Sequence, residues 1–244
     1  MFNEYSDKIK QLTGFEKEDI LNKTIELYRC SNFSIYYAPH NEIINKKARV
    51  FIVGITPGWT QTKIAYKTAY FGLQQNLPYE LIKKECKVNS RFAGSMRKNL
   101  VEMLDNLNLN DKLKLTSCAE LFEGEEDLLH TTSLIPYPVF INEKNYTGSK
   151  PKIMENETLY SYVRRYFFKE IESLPNAFII PLGRAVEEVL QQMIKDNLIS
   201  KEQCLLGFPH PSGANGHRKN QFIQNRDGLL NVIEAYFARD KRTG

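Results

Sequence analysis

The sequence is short of the residues from which zinc, redox and secreted folds are built. It has four cysteines in 244 residues. Cys30, Cys86, Cys118 and Cys204 stand far apart with no CxxC pair, which argues against both a zinc site and a disulfide framework. They read as reduced, buried thiols. No apolar run approaches the roughly 18 residues of a membrane span. The opening MFNEYSDKIKQ carries no apolar signal segment, so the expectation is a cytoplasmic protein without a membrane partner. Neither GxGxxG nor GxxxxGK[ST] occurs, which sets aside dinucleotide and P-loop nucleotide binding. An excess of one charge is missing too: 33 Lys and Arg face 29 Asp and Glu, a net +4. A mild positive balance permits a nucleic-acid partner without demanding one.

What is present points to one α/β domain over residues 1–244. The 42% hydrophobic content suffices for a sizeable core, and there is no repeat, low-complexity tract or linker. Residues 1–45 read as a helical N-terminal extension, with Ile20, Leu21, Ile25 and Leu27 near helical spacing. Residues 48–53 (ARVFIV) form a short β-branched strand. A helix is expected over 95–107, with Met96, Leu100, Met103, Leu104 and Leu107 on one face. Residues 112–122 read as a weaker strand, 128–140 as a strand running into a Pro-rich loop, and 159–171 as a helix. Ala177 to Ile180 is a buried strand. The next helix carries Val186, Val189, Leu190, Met193 and Ile194 on one stripe. Residues 204–208 are read as the last strand, before a C-terminal helix running to about Phe237. Strands separated by helices imply a mostly parallel sheet covered on both faces.

Two loops stand out. In LLGFPHPSGANGHR (205–218), Pro209, Pro211, Gly213 and Gly216 shape the backbone, while His210, Ser212, Asn215, His217 and Arg218 supply polar groups. Two of the four histidines lie here, directly after a strand, where open α/β sheets keep their chemistry. The second loop is GITPG (54–58), which follows the first core strand. Glycine at both ends lets backbone approach a ligand closely, and Pro57 stiffens the turn between them.

With these loops in this order, the chain resembles the uracil-DNA glycosylase superfamily. There the first parallel strand ends in a G-x-[DN]-P-[YG]-type loop and the last in H-P-S. Gly54-Ile55-Thr56-Pro57-Gly58 and His210-Pro211-Ser212 match these motifs, and the likeness runs from about Val50 to Leu229. Gly58 is similar to the mismatch-type and single-strand-selective branches, where a small residue replaces a bulky tyrosine. The resemblance implies a three-layer α/β/α sandwich around a central, mostly parallel four-stranded sheet. It implies a monomer that needs no cofactor or metal. The reaction would be hydrolysis of the N-glycosidic bond of uracil or another altered base, flipped out of DNA.

The resemblance also assigns roles. His210 would hydrogen-bond a carbonyl of the departing base as it becomes anionic. Thr56 stands where relatives carry Asp or Asn to orient the attacking water, and a hydroxyl is not a base near neutral pH. Gly54, Ile55 and Gly58 would surround the base. Phe71, fifteen residues after Thr56, would stack on it, and Thr131 and Thr132 would read its edge. Pro57, Pro211, Ser212, Asn215, His217 and Arg218 would meet DNA, with His217 or Arg218 filling the vacated base space. Asn145 to Gly148 resembles a phosphate-pinching loop of the single-strand-selective branch. Thr56 keeps open a second reading, a nucleic-acid-binding member of the fold with weak or no catalysis. A glycosylase of free nucleosides or nucleotides is the third.

Overall fold

The computed structural model describes residues 1–30, 33–92, 94–123 and 126–239. The chain is mixed α/β with helix in excess, at 53%. Along the chain run α1 (Phe2–Lys10), α2 (Lys17–Ile20), β1 (Glu26–Arg29), β2 (Phe33–Tyr36) and β3 (Val50–Gly54). Then come α3 (Trp59–Gln74), α4 (Tyr79–Ser90), α5 (Ser95–Asp105), α6 (Leu109–Leu113) and α7 (Glu120–Glu123). Strands β4 (Leu129–Ser133), β5 (Val139–Ile141) and β6 (Lys144–Asn145) precede α8 (Glu157–Tyr162) and α9 (Phe168–Ser173). The chain ends with β7 (Phe178–Pro181), α10 (Arg184–Lys195) and α11 (Arg218–Arg239). No helix among the described residues is long and apolar enough to cross a membrane.

Contacts divide the chain into two compact units, each stitched from three separated segments. One comprises Met1–Ile44, Ile55–Ala93 and Ser133–Phe167; the other comprises Asn45–Gly54, Gly94–Thr132 and Phe168–Gly244.

The first unit holds an antiparallel sheet in the order β1-β2-β5-β6. Arg29 pairs with Ser34, Ser34 with Phe140 and Phe140 with Asn145. Directly paired residues share a face, so one row of side chains crosses all four strands. The β5–β6 turn is a two-residue loop in which Asn142 and Glu143 both take positive φ, 46° and 61°. That geometry matches the twist of the flanking strands. The expected helical extension is therefore half right. Residues 2–10 and 17–20 are helical, but 26–29 and 33–36 are strands. The spacing of Ile25 and Leu27 also suits an extended chain, and the partner strand β5 lies over a hundred residues away.

The second unit holds a three-stranded parallel sheet in the order β4-β3-β7. Val50, Phe51, Ile52 and Val53 are all fully buried, which is why this strand reads as a continuous apolar run. It pairs with β7 from Val50↔Phe178 to Val53↔Pro181. The next sheet strand in sequence, β4, lies on one side of β3, and β7 lies on the other. Such a reversal makes the carboxyl ends of β3 and β7 a topological switch point, the usual ligand position in open α/β sheets.

Two expectations need correction here. The last strand is reduced to one parallel bridge, Ile179↔Cys204. Leu206 N–H turns back to the Cys204 carbonyl, and Gly207 takes φ +86°, so the chain leaves the sheet at once. Residues 112–122 form short helical pieces rather than a strand. The Asp105 carboxylate accepts bonds from Ser117 Oγ (2.7 Å) and Cys118 N–H (2.6 Å), which curls this segment. The stripe on α10 is as expected, with Val186, Val189, Leu190 and Met193 buried.

Candidate functional site

His210 belongs to the second unit and lies at the carboxyl end of its parallel sheet. Leu182 N–H, just past β7, bonds the Val53 carbonyl at 2.9 Å, and Gly183 begins α10. The side chain of His210 packs directly on Gly183: a Cβ built there would lie 2.9 Å from the His210 Cβ. Gly183 also has φ +87°, a conformation that side-chain-bearing residues adopt at a cost of about 1–3 kcal/mol. Gly183→Ala is therefore expected to destabilise the protein by that order and to displace the imidazole. Urea unfolding combined with the activity assay below checks it: an unchanged midpoint and rate would show that the turn tolerates the methyl.

The ring's state follows from its contacts. Ser212 N–H donates to His210 Nδ1 at 3.2 Å. A nitrogen that accepts carries no proton, so the neutral ring holds its hydrogen on Nε2, which has no protein partner among the described residues. Burial holds the pKa below the ordinary 6.5. The partial positive charge at the start of α10 acts in the same direction. At neutral pH, His210 is thus an uncharged imidazole presenting an N–H.

The loop around it is braced by five side chains. Glu187 Oε2 accepts Gly207 N–H at 2.8 Å, and Asn225 Nδ2 donates to the Gly207 carbonyl at 2.8 Å. Asn99 Nδ2 donates to the Pro211 carbonyl at 2.8 Å. Asn215 Nδ2 donates to the His210 carbonyl at 3.2 Å. The Arg218 guanidinium is turned inward, to the Ser212 carbonyl (3.0 Å) and Asn99 Oδ1 (3.2 Å). Arg218 therefore ties the loop down and is not placed to fill a vacated base space. His217 is the exposed polar residue of the pair, and Pro211 is buried. Ser212 spends its hydroxyl on Ala214 N–H.

The GITPG loop leaves β3 at buried Gly54 and continues into the first unit. Ile55 and Thr56 are partly buried and Pro57 is buried. The Ile55 carbonyl accepts Ile135 N–H at 3.2 Å. Gly58 caps α3, its N–H bonded to Gln61 Oε1 at 3.0 Å. Trp59 N–H donates to Asn145 Oδ1 at 3.1 Å, so the amide expected to pinch phosphate also anchors the start of α3. Phe71 is corrected. It lies twelve residues into α3 beyond Trp59, about 18 Å along the axis at 1.5 Å per residue. There it packs on Phe15 and Tyr70. The aromatic residue at the loop is Trp59, the one tryptophan of the chain, partly buried.

Thr132 is engaged inside the second unit. Its Oγ1 donates to Glu170 Oε1 at 3.0 Å, while His130 Nε2 meets Glu170 Oε2 at 2.7 Å. Asn45 N–H donates to His130 Nδ1 at 3.3 Å, so the His130 proton sits on Nε2 and points at the carboxylate. All three side chains are buried. Thr131, which alternates to the other face of β4, is buried too. Glu170, Glu187, Asn99, Asn225 and Trp59 escaped the sequence reading. Only Trp59 carried a local signal, as the sole tryptophan beside a glycine-flanked loop. Among the described residues, no cluster of His, Cys, Asp and Glu could hold a metal ion.

No protein-family model matches the chain. It is 42% identical over 246 aligned positions to "Uncharacterized protein YoxB" of Bacillus subtilis (strain 168), an alignment covering 98% of this chain and 96% of that protein. The chain belongs to the same family as YoxB.

Proposed function

We propose that this member of the YoxB family is a DNA glycosylase of the uracil-DNA glycosylase kind, cleaving the N-glycosidic bond of a deaminated or otherwise altered base. The observation that carries the reading is the state of His210. Breaking this bond leaves negative charge on the base and positive charge on the sugar. A preorganised N–H aimed at the anion stabilises the transition state more than the bound substrate. A neutral imidazole with its proton on Nε2, desolvated beside a helix N-terminus, supplies such a donor without a proton transfer. The ladder of bonds from Glu187, Asn225, Asn99 and Arg218 has a use here, since a donor works only if its position is fixed before reaction. The extrusion of the nucleotide follows from the need to reach a bond hidden in the duplex.

The test is a gel assay on labelled oligonucleotides holding uracil, hypoxanthine, xanthine or a mismatched thymine, with alkaline cleavage of abasic sites. Strand scission at one of these bases is the expected result. No abasic product from any of them, alongside measurable DNA binding, would favour the non-catalytic reading instead.

Thr56 is the observation behind that second reading, because its hydroxyl can hold water but cannot take its proton at neutral pH. If Thr56 places the attacking water, Thr56→Asn is expected to raise the single-turnover rate, since an amide orients water better than a hydroxyl. Thr56→Ala is expected to lower it. Equal rates in wild type and Thr56→Ala would assign the water to another residue and leave Thr56 as a turn residue.

A further inference from the structure

A cleft of about 370 Å³ opens on the antiparallel sheet of the first unit, against α2. None of the roles assigned above uses it. Its floor is the side-chain row described earlier, and it holds two cations laid on two rings. Lys17 Nζ sits 4.7 Å from the centre of the Phe140 ring, and the Arg29 guanidinium 6.0 Å from that of Tyr36. The two rings are 6.1 Å apart. A ring face positions a cation without neutralising it. Among the described residues Lys17 has no carboxylate in ion-pair range; its ammonium is held by the Glu143 carbonyl. Arg29 is ion-paired with the Glu26 carboxylate at 2.6 Å and donates to the Tyr36 hydroxyl at 2.6 Å, so a phosphate there would share or displace Glu26. Between them, in register with both Arg29 and Phe140, lies Ser34. Its hydroxyl has no protein partner among the described residues.

We propose that this cleft binds two adjacent phosphates of the single strand that carries the altered base; the inference rests on the glycosylase reading. Two cations laid on rings whose centres are 6.1 Å apart, with a neutral hydroxyl on the strand between them, suit two neighbouring anionic groups on a flexible chain. Exposed Glu18 and Glu143 stand at the rim and repel a longer anionic run, which disfavours a rigid duplex. The row also has a direction. From Arg29 it crosses Ser34 and Phe140 to Asn145, three strand spacings or about 14 Å. Asn145 holds the start of α3, the helix that follows the Thr56 loop. A strand gripped in the cleft can therefore continue along one sheet face toward that loop, which a free nucleotide has no need to do.

Fluorescence anisotropy of a labelled oligothymidylate, measured against salt, tests the proposal with the full-length protein. Lys17→Gln and Arg29→Gln are each expected to weaken binding about 3- to 10-fold, and to reduce the slope of log affinity against log salt by about 0.7, the single-strand value per phosphate contact. Lys201→Gln, an exposed change in the other unit, should do neither. ATP is titrated in parallel as the free-phosphate probe. Variants that lose ATP binding but hold the oligonucleotide as wild type does overturn the strand assignment. Unchanged affinity and slope for both ligands overturn the cleft altogether, and if excision persists the glycosylase reading stands. The converse pattern, weakened oligonucleotide binding in a protein that excises no base, keeps the cleft and removes the glycosylase reading.

Discussion

His210→Ala is expected to lower the single-turnover rate of base excision by on the order of 10²- to 10³-fold, the usual cost of removing one preorganised donor to a developing anion. The fold should survive, because the loop keeps its other anchors: Glu187 and Asn225 on Gly207, and Asn99 and Arg218 on the Pro211–Ser212 backbone. His210→Gln, which keeps a donor at a similar reach, should recover part of the loss. The pH profile adds a second signature. Burial lowers the His210 pKa, so the neutral ring persists as pH falls through 6.5, and the rate should stay level there. It should fall only at lower pH, when a proton on Nδ1 would confront Ser212 N–H. A rate that drops with an apparent pKa above 6.5, or a fully active His210→Ala, would show that the imidazole serves structure alone.

Glu170→Ala is expected to cost about 3 kcal/mol or more of stability. The carboxylate is the shared acceptor for His130 and Thr132 inside the second unit. Its removal takes the shared acceptor from two buried donors, at about 1–3 kcal/mol each, and leaves a cavity as well. Against a total stability of about 5–15 kcal/mol, that is a large share. His130 cannot escape by switching tautomer, because Asn45 N–H already occupies Nδ1. Glu170→Gln should cost less, since its carbonyl oxygen can still accept one of the two bonds. Urea unfolding read by circular dichroism decides it: a loss below about 1 kcal/mol for Glu170→Ala would mean that water or a rearranged core replaces the carboxylate.

The sequence disclosed the parts whose signals are local. The fully buried β3 announces itself as an apolar run, α10 as a stripe at 3.6-residue spacing, and the HPSG loop as a crowd of polar groups between prolines. Parts defined by distant partners stayed hidden. Strands β1 and β2 resemble a helix until β5 is known to lie beside them. Residues 204–208 have strand composition, yet Gly207 ends the pairing after one bridge. The same limit separates the site residues. His210 and Thr56 could be picked from motifs, whereas Glu187 and Asn99 are ordinary helix residues until the loop is seen resting on them. Phe71 parts from the loop for a geometric reason: the count along the sequence is an axial distance of about 18 Å once the segment is helical.

Both sheets are closed by late-arriving chain. Ile35 must wait for Val139, and Val50 for Phe178. On the ribosome, therefore, neither unit can finish before most of the polypeptide has emerged. Until then the β2 edge and the apolar β3 run are left without their native neighbours, a condition that invites association between nascent chains. Long sequence separation also slows folding, because the loops must close before pairing repays them. For production in a host cell, slower translation and lower temperature should raise the soluble yield. No cut at a single point separates the two units, since their segments alternate along the sequence.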